Sequence, residues 1–398
     1  MTAKKYFKSI GMVIVSLIFI LVSCDCKNIE EYVSINEANN KSECKEENPT
    51  NTVIIGETTN IKQLNLNTFN CFGISGEYLY YMSEINYNSD ICDYEIMRYN
   101  LQTDKKEKIG EIAKLSAWSN VVAFVNSDRL YATFGAVENE QPCNKHVQID
   151  LKSGGVTVLS KDSYFPPLVQ NISVNENCFV EYQPQQLEDG SYRYVVRVVD
   201  IKNGNPNDVI VKERKSDYSG EMIVDATVYD DMIYTFEYDA QTAYVCSYDI
   251  EGNQVSKESI EFINEFLNTP DAITGDTETM WSIDVINGYY FFESLNGNRL
   301  VLHKTDKGWT KRKDLIMNRV GSISNLVDDF NPRQSNYTKV VLYDYNTQEL
   351  SYLDTETGEK VNLSLELPGA TYCMTDGKQL VYMNDKQELY YIADVFAK

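Results

Sequence analysis

His146 and His303 are the two imidazoles of this 398-residue chain, and both fall in stretches that read as strands of different repeat units. A Ser-His-Asp/Glu relay needs an imidazole between nucleophile and carboxylate, and a His-rich metal centre needs several, so two separated histidines supply little for either. The chain contains no GxSxG, HExxH, GxxxxGK[ST] or dinucleotide fingerprint. Carboxylates are plentiful, with 59 Asp and Glu against 36 Lys and Arg. Paired-carboxylate chemistry depends on a separation that only a fold sets. The residue types therefore imply no cofactor and no metal, and they favour binding over catalysis.

Nine cysteines are the other reactive set. Cys26, Cys44, Cys71, Cys178, Cys246 and Cys373 offer no CxxC spacing for a metal knuckle or a thioredoxin-like motif. Several lie within apolar runs, where a thiol behaves as a small hydrophobic side chain. Cys92 and Cys143 each stand just before the third strand of consecutive repeats and form the candidate disulfide.

The ninth, Cys24, closes a leader. Lys4, Lys5 and Lys8 precede an apolar run from Ile10 to Val22, too short for the roughly 20 residues of a membrane-spanning helix but shaped as a secretory signal over 1–23. The sequence Leu21-Val22-Ser23-Cys24 resembles the lipobox of bacterial lipoproteins. That resemblance implies cleavage before Cys24, acylation of its sulfur and a place on the extracytoplasmic side of the bacterial cell membrane. Several buried acyl chains, at about 0.8 kcal/mol per CH₂, anchor a protein stably where one does not. Residues 24–50 are polar and acidic and read as a flexible tether.

The formal charge is −23 and becomes more negative once the leader lysines are removed. That balance excludes a nucleic-acid partner, which requires clustered Lys and Arg, and it leaves membrane attachment to the acyl anchor.

Residues 51–398 repeat. An apolar strand with a central aromatic, entered from a turn rich in Asn, Asp, Gly and Ser, occurs at Leu79-Tyr80, Leu130-Tyr131, Phe179-Val180, Ile233-Tyr234, Tyr289-Tyr290, Leu342-Tyr343 and Val381-Tyr382. About twenty residues later comes a second turn of the form Asp/Asn-x-x-(Thr/Ser/Asn)-Gly, as in Asp150–Gly154 and Asp354–Gly358. Most of the alternating oxygen positions of a calcium loop are apolar or basic there, so turn chemistry is the expectation. Four short antiparallel strands per unit indicate an all-β fold, a β-propeller of seven four-stranded blades, with six as the alternative count.

The last unit stops before its fourth strand. Residues 52–57 are expected to supply it and so to close the ring, removing exposed edges. The insertion 259–280 departs from the repeat and reads as a short amphipathic rim helix through Ile260, Phe262, Ile263 and Phe266.

The connections between blades carry Trp118, Tyr164, Phe165, Tyr218 and Trp281. Aromatics converging on a concave face can stack sugars or clamp a peptide; they also serve as packing between blades. The cadence of Tyr78–Lys105 and the turn Asp354–Gly358 resemble Gram-positive bacterial lipoproteins with a tyrosine-rich propeller, related to the low-density-lipoprotein-receptor type. The expectation is a membrane-tethered binding or scaffolding module for a protein or glycan partner. The competing class is a hydrolase or lyase acting on cell-wall or exported polymers through carboxylates at the channel mouth.

Overall fold

The computed structural model describes residues 51–52, 61–66, 71–87, 91–116, 122–126, 128–138, 141–162, 171–175, 177–187, 189–200, 206–215, 220–239, 242–263, 280–294, 299–315, 339–343, 349–367, 369–376 and 378–395. Strands dominate because β-branched and aromatic residues alternate in short runs between residues that accept turns.

The strands form seven blades. The first is Cys71–Ser75, Tyr78–Tyr87, Ile91–Asn100 and Lys106–Ser116; the second is Val122–Asn126, Arg129–Glu138, Gln141–Asp150 and Val156–Asp162. A single pairing, Leu115 with Ala136, joins these two into one eight-stranded sheet. The third blade is Asn171–Val174, Cys178–Gln186, Tyr192–Asp200 and Pro206–Arg214; the fourth is Met222–Tyr229, Met232–Tyr238, Ala243–Asp249 and Gln254–Ser259. The fifth is Met280–Ile286, Tyr289–Ser294, Arg299–Thr305 and Gly308–Lys311. The sixth contains Lys339–Tyr343, Glu349–Asp354 and Lys360–Glu366, which hold the second, third and fourth places of the repeat. The seventh contains Ala370–Thr375, Leu380–Asn384 and Leu389–Ile392. The count is therefore seven rather than six.

The chain's N-terminal side reaches both of the last two blades. Ile61–Gln63 pairs antiparallel with Leu389–Ile392 and fills the fourth place of the seventh blade. Asn51–Thr52 instead pairs parallel with Lys360–Glu366, outside the sixth blade. The sequence places the completing strand at 52–57. The strand seen in the last blade lies nine residues further on than residue 52, and residues 53–57 lie outside the described set.

First strands of neighbouring blades touch one another around the axis. Cys71–Ser75 meets Val122–Asn126, Met222–Tyr229 lies between Asn171–Val174 and Met280–Ile286, and Ala370–Thr375 meets Cys71–Ser75. Among the described residues six apolar clusters form the core, and each spans one seam between neighbouring blades. The seventh–first seam is sealed by Leu64, Leu66, Ile74, Leu79 and Tyr99 against Met374, Val381, Leu389 and Tyr391. Tyrosine rings fill these seams while their hydroxyls find acceptors: Tyr182 donates to the Ile223 carbonyl at 2.5 Å and Tyr391 to Gln379 Oε1 at 2.8 Å.

Of the 259–280 insertion, residues 261–263 are helical, and Ile260 and Ile263 are buried in the fourth–fifth seam with Phe262 packed alongside. The remainder, including Phe266, lies outside the described residues.

Candidate functional site

Strand direction sorts the connections. In an antiparallel four-strand blade, the turns between strands one and two and between strands three and four emerge at the same end. One face of the ring therefore carries both turn families, and the sequence pattern there has a direct local cause. Asp150 Oδ1 accepts from the backbone N–H of Lys152 at 3.1 Å and Ser153 at 2.7 Å; Asp354 Oδ1 accepts from Glu356 at 3.0 Å and Thr357 at 3.1 Å. Asn100 does the same for Gln102 at 3.0 Å and Thr103 at 2.8 Å. These are side-chain-capped turns, as the sequence implies. The backbone hydrogen bond from Ser153 holds the Asp150 carboxyl below its usual range.

The turns also fasten blades together. Asn175 Nδ2 donates to Asp231 at 3.0 Å from the third to the fourth blade, and Asn287 Nδ2 donates to the Thr355 carbonyl at 2.9 Å from the fifth to the sixth. Glu77, Asp128, Asp230, Asp231, Glu251 and Glu356 remain exposed on this face.

Polar and titratable side chains inside the seams face one another. His146 Nδ1 and Glu181 Oε1 stand 2.8 Å apart between the second and third blades, both fully buried. Phe179 packs on the imidazole with ring centroids at 5.7 Å. Between the third and fourth blades Lys212 bridges Glu237 and Glu221, and Lys257 reaches Glu221 at 2.5 Å. Glu237 also accepts from Thr235 at 2.6 Å and Tyr248 at 2.7 Å, so its buried carboxylate is satisfied. Hydrogen bonds from Lys212 and Lys257 hold the Glu221 carboxyl low.

His303 is far from this arrangement in the chain's order of blades. It stacks on Tyr289 with centroids 4.0 Å apart, and burial lowers its basicity. The two histidines thus do different packing jobs in different seams. Among the described residues no group of three or more His, Cys, Asp or Glu is placed to hold a metal ion.

Cys71, Cys178 and Cys246 are free thiols, each pushed up to about 12 by burial. A native-state reaction with a thiol reagent at pH 8 is therefore expected to label these three slowly, with full labelling only in denaturant. Rapid stoichiometric labelling of Cys246 in the folded chain would count against this seam packing.

The candidate disulfide is not brought together. Cys92 pairs with Leu115, Leu115 with Ala136 and Ala136 with Cys143, so two strands lie between the cysteines. Three inter-strand steps amount to roughly 14 Å, about twice the Cα separation that a disulfide spans. Of the candidate aromatics, Trp281 lies in the strand Met280–Ile286. Trp118, Tyr164, Phe165 and Tyr218, like Cys24, lie outside the described residues.

Sequence reasoning missed two separate buried pairs, His146 with Glu181 between the second and third blades and Lys212 with Glu237 between the third and fourth. The sequence signal for the first is alternation: in Cys178–Gln186 the even positions are mostly apolar and the odd ones include Glu181, Gln183 and Gln185. Such a strand reads as half solvated, yet these three residues are 0%, 3% and 7% exposed.

No protein-family model matches the chain, and no curated protein does. Among solved structures it is similar to BamB from Moraxella catarrhalis, at 9% identity over 84% of this chain and 98% of that one, with a TM-score of 0.39. The β-propeller domain of the Trilobed protease from Pyrococcus furiosus matches at 11% identity over 81% and 95%, with a TM-score of 0.48. An uncharacterized protein from Listeria monocytogenes EGD-e matches at 12% identity over 87% and 98%, with a TM-score of 0.48. These likenesses concern the fold, a β-propeller, and nothing more specific.

Proposed function

We propose that the chain is a lipid-anchored, extracytoplasmic propeller that binds or scaffolds a protein or glycan partner. The observation that carries this reading is the frame: apolar clusters and the Lys212–Glu237 pair join blade to blade, while carboxylates of the described turns stand exposed on one face. A propeller of this kind offers many independent contact points on a fixed frame. The exposed carboxylates of the turn face suit a partner of opposite charge, which speeds encounter and fixes orientation. Ring closure through Ile61–Gln63 belongs to the same proposal, since a closed frame holds its faces in register.

The anchor part rests on Leu21-Val22-Ser23-Cys24. A tether over 24–50 reaches at most about 90 Å when fully extended, enough to lift the ring well clear of lipid headgroups. Cys24→Ser is expected to shift the protein from the membrane to the soluble fraction or to leave the leader uncut. An unchanged membrane fraction and mature size would refute lipidation.

Binding itself is tested by cross-linking capture from solubilised membranes together with a glycan array. Reproducible enrichment of one partner, weakened by salt if the turn face carries it, is the expected result. Repeated failure of both assays with folded protein removes the proposal.

A further inference from the structure

We infer that the outer rim of the fifth and sixth blades is a docking surface for an anionic lipid bilayer, an inference that rests on the membrane-tethered part of the reading above. The starting point is a local reversal of charge. The chain as a whole carries −23, yet residues 303–315 hold five Lys and Arg against two Asp. The run covers the end of the fifth blade's third strand, its fourth strand Gly308–Lys311 and the short 3₁₀ turn Lys313–Leu315. Gly308–Lys311 is the outermost strand of that blade, so the run stands at the edge of the ring.

Its internal pairing leaves an excess of cations. Lys304 is taken by Glu258 of the fourth blade, and Arg312 holds Asp314 through Nε at 2.9 Å and Nη2 at 2.8 Å. Among the described residues Lys307, Lys311 and Lys313 make no ion pair, and Lys307 and Lys313 are exposed. Asp306 is the one carboxylate of the run outside these pairs. Lys360, at the start of the sixth blade's outer strand, adds a fourth cation, its Nζ donating to the Asp314 carbonyl at 3.1 Å. Leu315 is buried in the apolar cluster of the fifth–sixth seam, which fixes the turn, and with it Lys313, on the ring.

The start of the ring lies on the same rim. Asn51, its first described residue, pairs with Val361, the neighbour of Lys360. The tether proposed over 24–50 therefore joins the ring beside these cations.

The chain's overall charge opposes an anionic surface, but distance decides which charges count. At physiological salt the screening length is about 8 Å, whereas packed sheets stand about 10 Å apart. Glu77 and Asp128, on the first and second blades, are two or more seams from the fifth and sixth. A lysine close to an anionic leaflet strengthens attachment by about fivefold, so the three unpaired lysines together give about a hundredfold. That is too weak to hold a free protein. A flexible tether supplies an effective concentration of about 1 mM, at which such a contact suffices to orient the ring. Docked by its rim, the ring keeps the carboxylates of its turn face off the bilayer and open to the partner proposed above.

The test uses the mature-length chain from residue 24, held by an N-terminal histidine tag on vesicles that carry a nickel-chelating lipid. Attachment then does not depend on acylation of Cys24, whose own test is the fractionation of Cys24→Ser. One set of vesicles is phosphatidylcholine, and the other contains about one-third phosphatidylglycerol. Acetylation of each lysine is followed by peptide mass spectrometry. Lys307, Lys311 and Lys313 are expected to react at least threefold more slowly on the anionic vesicles, and exposed Lys152 of the second blade at an unchanged rate. High salt should erase the difference. The double variant Lys311→Glu/Lys313→Glu should remove the protection of Lys307, with a melting temperature equal to that of the parent. Lys307→Glu, at an exposed turn, carries the same test through Lys311 if the double variant does not fold. Equal rates on the two vesicles, equal protection of Lys152, or protection that survives the substitutions would overturn the proposal. Protection by soluble polyglutamate but not by anionic vesicles would assign the rim to an acidic polypeptide and remove the bilayer. None of these results bears on lipidation, which stands or falls with Cys24→Ser.

Discussion

Removal of residues 1–66 is expected to abolish cooperative folding, whereas removal of residues 1–60 is expected to leave a folded ring. The difference is six residues, and each is engaged. Ile61–Gln63 supplies the last blade's fourth strand. Leu64 and Leu66, 4% and 8% exposed, lie in the apolar cluster between the seventh and first blades. Lys62 Nζ reaches Asp104 at 2.7 Å and the Leu101 carbonyl at 2.8 Å, and the Asn65 N–H donates to the Tyr99 hydroxyl at 3.3 Å. Leu64→Ala and Leu66→Ala should each cost about 2–5 kcal/mol, read as a lower urea midpoint at constant slope. Loss of the whole segment removes both at once and bares the Leu389–Ile392 edge. Equal urea midpoints for the two truncations would show that the segment is dispensable.

The same latch should respond to acid in a defined sense. Hydrogen bonds from Lys62, then Tyr99, hold the Asp104 carboxyl below its ordinary value. A depressed folded value means that the contribution is complete above the unfolded carboxylate range, near 4, and is lost as pH falls through the folded value. The stability gap between the parent and Asp104→Asn should therefore be flat from neutral pH down to about 5 and shrink only in stronger acid. A gap that widens on acidification contradicts the assignment.

The parts of this structure legible in the sequence were those set by local rules. Turn residues and central aromatics recur at blade period, and they fix the number of units and the second-strand positions. Strand ends were less visible. The pattern puts strands at Tyr78–Met82 and Tyr94–Tyr99, whereas the hairpin runs over Tyr78–Tyr87 and Ile91–Asn100. The added pairs, such as Ser83 with Glu95, are polar on a backbone ladder, and hydrophobic alternation carries no mark of them. Val53-Ile54-Ile55 is the more β-like run in the sequence and lies outside the described residues, whereas the described pairing with Leu389–Ile392 is made by Ile61–Gln63, whose following leucines fill a seam. Burial of Glu181 and Gln183 was invisible because a polar alternate position looks the same whether it meets solvent or a neighbouring blade.

Gly154→Ala should be among the most damaging single-methyl changes in the chain, and Gly76→Ala tells why. Both glycines have left-handed backbones, with φ of +72° and +58°. Any L-residue there loses about 1–2 kcal/mol from the Cβ–carbonyl clash of that conformation. Around Gly76 nothing lies within 4 Å of an added Cβ, so the local penalty is the whole effect. At Gly154 the added Cβ would fall 1.5 Å from the Ile109 carbonyl oxygen, on the outer strand of the preceding blade. Gly252 repeats the arrangement, with the Val209 carbonyl oxygen of the third blade 2.1 Å from its Cβ position. The obstruction is backbone and cannot rotate away, so the blades themselves must separate, adding about 1–3 kcal/mol of overpacking cost. Gly154→Ala and Gly252→Ala are thus expected to lose about 2–5 kcal/mol, against about 1–2 for Gly76→Ala, with urea unfolding as the measure. The glycine that ends the second turn of these blades is then kept for a contact with the neighbouring blade, beyond the needs of its own turn. Equal losses at all three positions would reduce it to turn chemistry alone.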